Sequence, residues 1–246
     1  MCRHLGYLGP PVPLKDLLLD PPHALVTQAW APRDMRGGGT INADGFGVGW
    51  YPSASEPVRY ASAMPVWSDP ALPQLAAVTS AGAALAAVRS ATVGMPVTEP
   101  AAAPFVSGRW LFSHNGVVRD WPRSLTGLAG ELPVKNLLTL PAPTDSAVLF
   151  ALLLAKLRSG EPAAKAVAGV VTEVLAVAPG SRLNLLLTDG AQLVATTLGH
   201  SLSVRARRGS VLIASEPLDA DPAWQSIPDN RLVVATASSL SVEEIS

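Results

Sequence analysis

The sequence is poor in cysteine, in charged side chains and in aromatic ones. Its one cysteine is Cys2, so no disulfide can form within the chain and no cysteine-rich zinc site is possible. Charged residues make up 15% of the 246 positions and hydrophobic residues 48%. This composition excludes an intrinsically disordered chain and predicts a large buried core.

Clusters of one charge and long apolar runs are also missing. The net charge is -1, and the densest basic stretch, residues 205–208, has the pattern of an exposed hairpin end, which argues against nucleic acid as a partner. The most apolar run ends at Lys156, too early for a membrane span, and the N-terminus lacks the pattern of a secretion signal. The four histidines show no metal-ligand spacing. We expect a cytoplasmic protein with no metal, no cofactor and no membrane partner.

Apolar segments of strand length dominate the first part of the chain, at residues 3–8, 45–51, 58–61, 83–89 and 109–113. Several are apolar on both faces, which is typical of a sheet covered on each side. Two helices are predicted next, at residues 144–159 and 162–178. Thr144 is the expected N-cap of the first and Gly160 its end, while Pro162 suits the first turn of the second.

Strands return after the helices, at residues 182–188, 192–197, 201–206, 211–215 and 232–237. The first two read as a hairpin with a primed turn at Asp189-Gly190. The alternating glycines of residues 45–49 lie within a strand, so they predict a close approach by another backbone or a ligand, not a dinucleotide-binding loop. The pattern as a whole predicts one α+β domain over residues 1–246, with two sheets between helical layers.

Cys2 follows the initiator methionine directly, and methionine aminopeptidase removes Met1 when the second side chain is small. Cys2 would then carry a free α-amino group, whose pKa of about 7.7–8.0 suits a general base near neutral pH. One residue would thus supply both the nucleophile and the proton acceptor. The alternative is that Cys2 only packs in an N-terminal strand, since most cysteines are small buried residues.

Asn115 and Gly116 follow an apolar strand. The Asn115 side-chain N–H groups and the Gly116 backbone N–H could together bind the oxyanion of a tetrahedral intermediate. The alternative interpretation is an ordinary hairpin turn, because Asn-Gly is the commonest signal for one.

Arg89 and Asp145 are the charged residues best placed for a ligand. Arg89 ends an apolar strand, where burial requires an anion such as a substrate α-carboxylate, and the alternative is an arginine directed to solvent. Asp145 opens the first long helix, where it could accept hydrogen bonds from a substrate ammonium. The alternative there is a carboxylate that only stabilises the helix dipole, by about 0.3–1 kcal/mol.

The order of these motifs resembles the class II glutamine amidotransferase family. The matching segments are Cys2, residues 44–51, 89–92, 114–116 and 144–146. The resemblance implies a four-layer αββα sandwich, the N-terminal-nucleophile hydrolase fold. It also implies a role for each matching residue, with Cys2 as nucleophile, Asn115 and Gly116 as oxyanion hole, and a substrate-binding set of Arg89, Thr92, His114 and Asp145. Arg89 would hold the glutamyl carboxylate and Asp145 the glutamyl amine. Ser90 and Val93 depart from members that make amino sugars, which have Trp and His there.

Further segments, among them residues 1–9, 20–23, 31–33 and 42–45, resemble the stand-alone γ-glutamyl hydrolases of ergothioneine biosynthesis. This resemblance implies hydrolysis of a small-molecule γ-glutamyl substrate, γ-glutamyl-hercynylcysteine sulfoxide. Two alternatives stay open at this point: a glutaminase subunit that supplies ammonia to a separate synthetase, and a non-catalytic γ-glutamyl-peptide binding protein. A trimethylammonium group on the substrate would favour an aromatic wall, and the candidates are Trp30, Trp110, Trp121 and Trp224.

Overall fold

Thirteen strands form the framework of the part of the chain that the structure describes. The computed structural model describes residues 2–36, 41–52 and 56–245. In chain order the strands are β1 (Arg3–Pro13), β2 (Phe46–Trp50), β3 (Val58–Ser62), β4 (Ser80–Val88), β5 (Phe105–Ser107), β6 (Trp110–Val117), β7 (Arg182–Thr188), β8 (Leu193–Thr197), β9 (Ser203–Arg207), β10 (Ser210–Ala214), β11 (Trp224–Ser226), β12 (Arg231–Ala235) and β13 (Leu240–Glu244).

The helices are two long ones and several short ones. They are α1 (Lys15–Leu18), α2 (Leu25–Gln28), α3 (Leu72–Val78), α4 (Thr126–Gly130), α5 (Val134–Leu138), α6 (Asp145–Arg158) and α7 (Ala163–Val177). Single 3-10 turns occur at Val66–Ser68, Glu99–Ala101 and Arg123–Leu125. None of the helices within the described ranges is both long enough and apolar enough to cross a membrane.

The strands form two sheets in which the described pairs are antiparallel. The first sheet has the order β11-β9-β10-β1-β4-β2-β3, and the second has the order β13-β12-β8-β7-β6-β5. β1 is central in the first sheet, where Arg3 pairs with Val88 of β4 and Leu5 pairs with Ala214 of β10. The ends of β4 and β10 therefore flank the start of β1.

Three apolar layers hold the two sheets and the helices together. Leu5 and Val48 of the first sheet pack with Leu17 and Leu25 of the short helices. A second layer lies between the sheets and contains Leu85, Leu111, Leu186, Leu193 and Ile213. In the third layer, Phe112, Leu185 and Leu187 pack against α6 and α7. The arrangement is the predicted α+β fold, a four-layer αββα sandwich.

The burial of both faces of strand β7 explains why polar and apolar residues do not alternate along it. Leu185 and Leu187 face the helical layer, whereas Leu186 faces the other sheet, because successive side chains of a strand point to opposite faces. All three are fully buried. Burial of each such side chain contributes about 1.5–3 kcal/mol. The prediction of a sheet covered on both sides is confirmed.

The glycines of β2 allow the two sheets to meet closely. A Cβ on Gly47 would lie 2.6 Å from the carbonyl oxygen of Ala103, and one on Gly49 would lie 2.7 Å from the Leu111 side chain. The backbone contact leaves no room for a methyl group at Gly47, whereas at Gly49 the Leu111 side chain would have to move. The predicted close approach is confirmed at Gly47, where the approaching group is backbone.

Helix α6 begins and ends close to the predicted positions. The hydroxyl of Thr144 accepts the backbone N–H of Ala147 at 3.2 Å, as an N-cap does. Gly160 adopts a φ of 88°, beyond the end of the helix. Pro162 is the residue before α7 and not part of its first turn, so the prediction for that helix start is wrong by one position.

Two strand predictions need correction. The turn after β7 spans residues 189–192, and among these Gly190 has positive φ while Asp189 does not. The Asp189 carboxylate instead accepts the N–H groups of Ala191 and Gln192, at 3.0 and 3.1 Å. The connection is thus a side-chain-stabilised loop, not a two-residue primed turn. Strand β6 also continues to Val117, past its predicted end at Ser113.

Candidate active site

Cys2 lies directly before β1, at the end of the first sheet. Pairing of Arg3 with Val88 brings Arg89 and Ser90, which follow β4, beside it. The Cys2 side chain is partly buried, and its sulfur lies 3.8 Å from the carbonyl oxygen of Ser90. The cysteine is therefore partly accessible at the end of a central strand, and its role as nucleophile stays a prediction.

A pocket at this end collects six of the seven predicted site residues. Its lining consists of Cys2, Arg89, Ser90, Thr92, Met95, Ala101, His114, Gly116, Thr144, Asp145 and Ser146. They come from the starts of β1 and α6, from the segment after β4, and from the end of β6. Asn115, the seventh, is adjacent in sequence to two lining residues and is itself fully buried.

Asp145 is held in place by backbone donors. One of its carboxylate oxygens accepts the N–H of Val118 at 3.0 Å, and the other accepts the N–H of Ser146 at 2.7 Å. The side chain is buried, and within the described residues no cation lies within 4 Å of it. A carboxylate has about four acceptor positions, so capacity remains for a ligand ammonium beside the helix start.

Arg89 is buried, which rules out an arginine directed to solvent. Its Nη1 donates to the carbonyl oxygen of Pro96 at 2.8 Å, and a longer contact of 3.5 Å reaches the carbonyl oxygen of Asp44. Among the residues that the structure describes, no carboxylate lies within 4 Å of the guanidinium. A buried cation that meets only carbonyl oxygens is suited to an anionic ligand.

The segment after Arg89 is fastened by Asp44. The N–H of Asp44 donates to the carbonyl oxygen of Arg89 at 2.9 Å, and its carboxylate accepts the N–H of Ala91 at 2.8 Å. Thr92 then begins a turn in which the N–H of Met95 donates to the Thr92 carbonyl oxygen at 2.9 Å. Thr92 is exposed, so it lies at the rim of the pocket, not in its depth.

His114 contributes to the pocket wall with both ring nitrogens already bonded. Its Nε2 lies 3.0 Å from the carbonyl oxygen of Arg182, and its Nδ1 lies 3.0 Å from the Ser146 hydroxyl. A carbonyl oxygen only accepts, so Nε2 carries a proton and donates it to the Arg182 carbonyl oxygen. Its predicted substrate contact stays a prediction.

Asn115 and Gly116 lie inside β6, so the alternative of a hairpin turn is wrong. They pair with Asn184 and Leu183 of β7. The Asn115 amide is 0% exposed, and neither its nitrogen nor its oxygen has a hydrogen-bond partner in the described part of the chain. Leaving such a group unpaired costs about 1–3 kcal/mol, so a ligand oxygen that accepted from the nitrogen would relieve part of that cost.

Two buried histidines near His114 stay neutral. Burial lowers the pKa of His4 to about 3, and the neighbouring His114 and His200 rings and the Arg3 guanidinium act in the same direction. Burial likewise lowers the pKa of His200 to about 3, with help from the Arg182 guanidinium. Neither ring is protonated near neutral pH. Within the described residues, no three His, Cys, Asp or Glu side chains are grouped so that they could hold a metal ion.

A buried charged cluster that no sequence motif predicts lies behind Cys2. The Arg3 Nε donates to the Glu216 carboxylate at 2.9 Å, and the His23 Nε2 lies 2.7 Å from the other oxygen of that carboxylate. The sequence does indicate a buried charge here, because Arg3, like Arg89, lies at the end of an apolar segment. Nothing in the sequence, however, identified a partner 213 positions away.

The tryptophan candidates separate into two groups. Trp110 precedes Asn115 by five positions of a strand, which is about 17 Å, and Trp224 lies in a strand three positions from β1, about 14 Å away. Neither lines the pocket at Cys2, so both are the less favoured candidates. Trp121 lies three residues after Val118, which binds Asp145, and Trp30 is 56% exposed. These two remain as candidates.

Comparison with known proteins identifies the class to which this fold and pocket belong. The family described as glutamine amidotransferases class-II matches residues 22–210. A glutamine aminotransferase class-II domain protein from Silicibacter pomeroyi has a TM-score of 0.70 at 26% identity, with both chains covered completely. Glutamine phosphoribosylpyrophosphate amidotransferase from B. subtilis has the same fold, with a TM-score of 0.68 at 14% identity over all of this chain and 49% of that one.

The chain belongs to the class II glutamine amidotransferase family. Over 233 residues it is 41% identical to the γ-glutamyl-hercynylcysteine sulfoxide hydrolase of Mycolicibacterium smegmatis, with 95% of each chain covered. It is also 41% identical to the enzyme of the same name from Mycobacterium tuberculosis, over 98% of this chain and 96% of that one.

Proposed function

We propose that the protein hydrolyses γ-glutamyl-hercynylcysteine sulfoxide to glutamate and hercynylcysteine sulfoxide, with Cys2 as an N-terminal nucleophile. The proposal is supported above all by one observation: Cys2, Arg89, Gly116 and Asp145 line one pocket although they are distant in sequence. Identity of 41% over nearly the full length of relatives with that name supports the choice of substrate.

The glutamyl group is held by its two charges. The Arg89 guanidinium binds the α-carboxylate, and the Asp145 carboxylate binds the α-ammonium. Both side chains are already fixed by backbone hydrogen bonds, so little side-chain freedom is lost when the ligand arrives. Thr92 at the rim contacts the bound glutamyl group, and His114 forms the adjacent wall.

Acylation begins once Met1 has been removed. The Cys2 amine accepts the thiol proton, and the sulfur attacks the γ-carbonyl carbon to give a tetrahedral intermediate. The Asn115 side-chain nitrogen and the Gly116 backbone N–H donate to its oxyanion. The Cys2 ammonium then protonates the leaving amine, and the C–N bond breaks. The products of this half-reaction are the free sulfoxide amine and a Cys2 thioester.

Deacylation returns the enzyme to its starting state. The Cys2 amine accepts a proton from water, the hydroxide adds to the thioester carbonyl, and the same oxyanion donors act a second time. Collapse of the intermediate breaks the C–S bond and releases glutamate, while the thiolate recovers its proton from the Cys2 ammonium. Trp30 or Trp121 would contact the trimethylammonium group of the leaving molecule, a contact of about 0.5–2 kcal/mol.

The test is glutamate release by the processed protein from two donors, γ-glutamyl-hercynylcysteine sulfoxide and glutamine. We expect a higher kcat/KM for the sulfoxide. A preference for free glutamine would support the ammonia-supplying alternative instead. Retention of Met1 in the intact mass, together with no turnover of either donor, would support a binding protein.

Cys2→Ala is the matched control, because it removes the thiol and little volume. The variant should fold as the parent does and release no glutamate. A γ-glutamyl chloroketone should add one equivalent of mass to the N-terminal peptide of the parent and none to the variant. Turnover by Cys2→Ala would overturn the proposed nucleophile.

A further inference from the structure

The Arg3 side chain joins three separate parts of the fold. It is 1% exposed. Its Nη1 donates to the carbonyl oxygen of Cys2 at 3.1 Å, its Nε donates to Glu216 at 2.9 Å, and its Nη2 donates to the carbonyl oxygen of Asp34. One guanidinium thus contacts the backbone of the proposed nucleophile, the segment after β10 and the segment that follows α2.

Glu216 anchors this guanidinium to the rest of the molecule. Its second carboxylate oxygen lies 2.7 Å from the His23 Nε2 and accepts the Arg33 N–H at 2.8 Å. Burial raises the pKa of Glu216, but hydrogen bonds from His23 and the Arg33 backbone and the charge of Arg3 outweigh that effect, so its pKa lies below the ordinary value. The carboxylate is therefore charged and forms a buried ion pair with Arg3.

Cys2 needs such an anchor because it becomes the first residue of the chain. Terminal residues are poorly ordered unless they are tied down. Arg3 is the first residue of the β1–β4 ladder, so Cys2 lies outside it. The amine and the thiol are both attached to the Cys2 Cα. A hydrogen bond to the Cys2 carbonyl restrains rotation about the adjacent Cα–C bond, and hence the placement of both groups.

We propose that Arg3, paired with Glu216, is a positioning residue for catalysis, which holds the Cys2 backbone so that its thiol and amine meet the substrate. The inference rests on the proposed function. It adds an electrostatic condition. The Arg3–Glu216 pair has no net charge, so neither of its two charges alone shifts the pKa of the Cys2 amine. The other charged or titratable groups around Cys2 are Asp44 before β2, Arg89 after β4, His114 of β6, Asp145 of α6, His200 after β8 and the buried His4 of β1.

Arg3→Lys tests the positioning. Lysine keeps the charge but cannot place three donors in the planar fork of a guanidinium. We expect kcat to fall by about 100-fold, the effect of a displacement of about 1 Å at a reacting group. KM should change little, because Arg89 and Asp145 still hold the glutamyl group.

The pH dependence of kcat/KM tests the electrostatic condition. Its acidic limb reports the pKa of the Cys2 amine in the free enzyme. Glu216→Gln leaves the Arg3 charge alone near the amine, which should move the limb to lower pH by about 0.5–1 unit. Arg3→Met leaves the Glu216 charge alone and should move the limb to higher pH by a similar amount. A merely structural role would produce no opposite shifts.

The double variant Arg3→Met with Glu216→Gln separates charge from geometry. Removing a buried ion pair as a whole is tolerated better than removing one partner, so this variant should fold even where the single ones do not. Its acidic limb should return to the parental position, while kcat stays low because nothing holds the Cys2 carbonyl.

Gln28→Leu is the matched control within the same cluster. The buried Gln28 amide donates to the carbonyl oxygens of His23 and Glu216, at 3.0 and 3.3 Å, and forms no hydrogen bond with Cys2 or Arg3 in the described part of the chain. The variant should melt at a lower temperature with an unshifted acidic limb. The intact mass of every variant confirms that Met1 has been removed.

Two results would overturn the inference while the proposed function stands: parental kcat in Arg3→Lys, or a double variant that recovers full kcat. Acidic limbs that move together in the single variants would overturn the electrostatic condition. Failure of the parent protein to release glutamate from any γ-glutamyl donor would instead refute the proposed function.

Discussion

Gly116→Ala should destabilise the protein at the candidate oxyanion site. A Cβ at this position would lie 1.9 Å from the Arg182 carbonyl oxygen and 2.6 Å from the His114 Nε2. A carbon–oxygen contact needs about 3.3 Å, so β6 and β7 would have to separate by about 1.4 Å. The obstacle is mainly backbone, which cannot turn aside as a flexible side chain can.

The size of the effect follows from these contacts. Overpacking costs about 1–3 kcal/mol, and a backbone obstacle belongs at the upper end of that range. Separation of the strands also breaks the hydrogen bond between His114 and the Arg182 carbonyl, worth about 1 kcal/mol. A total of about 3–4 kcal/mol corresponds to a Tm lower by about 6–16 °C in a protein of this size. A shift of about 1 Å at Gly116 should also lower kcat by about 100-fold.

Thermal unfolding followed by circular dichroism measures the first effect, and glutamate release from the folded variant measures the second. Gly127→Ala is the matched control: it lies in helix α4, and no atom lies within 4 Å of the Cβ it would gain. Alanine should stabilise that helix by about 0.5–1 kcal/mol. A Gly116→Ala variant that melted with the parent protein would refute the reasoning, because the strands would then have absorbed the methyl group at no cost.

Three further outcomes are expected. The pKa of His4 is about 3 in the folded protein against 6.5 for the unperturbed group, so the unfolded chain binds more protons between these values. Stability should therefore fall as the pH is lowered through this window, by at most about 1.4 kcal/mol per unit for this group, and His4→Gln should flatten the dependence in urea titrations. Asp145→Asn keeps an acceptor for the Val118 N–H but loses the charge, so kcat/KM should fall by about 1.5–3 kcal/mol for the sulfoxide and glutamine alike. Arg89→Lys loses the planar fork of the guanidinium, so kcat/KM should fall for both donors by the equivalent of about 1–3 kcal/mol. A loss confined to one donor would show that Arg89 contacts the leaving group instead.

The layers of the fold could be predicted from the sequence, because the pattern of side chains along one strand reports what covers its two faces. The leucines of β7 have no polar alternation, and each of its faces is buried. The order of strands within a sheet could not be predicted in this way. β1 lies between β4 and β10. Strand pairing depends on how segments distant in sequence pack together, and local sequence patterns do not predict that packing.

Asn115 and Gly116 show how tertiary structure overrides a local signal. The pair has the strongest turn preference among dipeptides, yet it lies in the ladder of β6 and β7. Gly116 is required there because the Arg182 backbone leaves no room for a side chain, not because of any turn. The order of motifs along the chain predicts a site at this strand, whereas the dipeptide alone predicts a turn, which the β6–β7 ladder contradicts.

The pocket contains two buried opposite charges, Arg89 and Asp145, that are not paired with each other. Arg89 is held by a carbonyl oxygen and Asp145 by backbone N–H groups, so each charged side chain is fixed by neutral partners. Two buried opposite charges that do not neutralise each other are costly, because each has lost water without gaining an ion pair. The α-carboxylate and α-ammonium of a glutamyl group offer the two missing partners in one molecule. We infer that recognition depends on both charges at once, so an analogue that lacks either one should bind much more weakly than the loss of a single surface ion pair would predict.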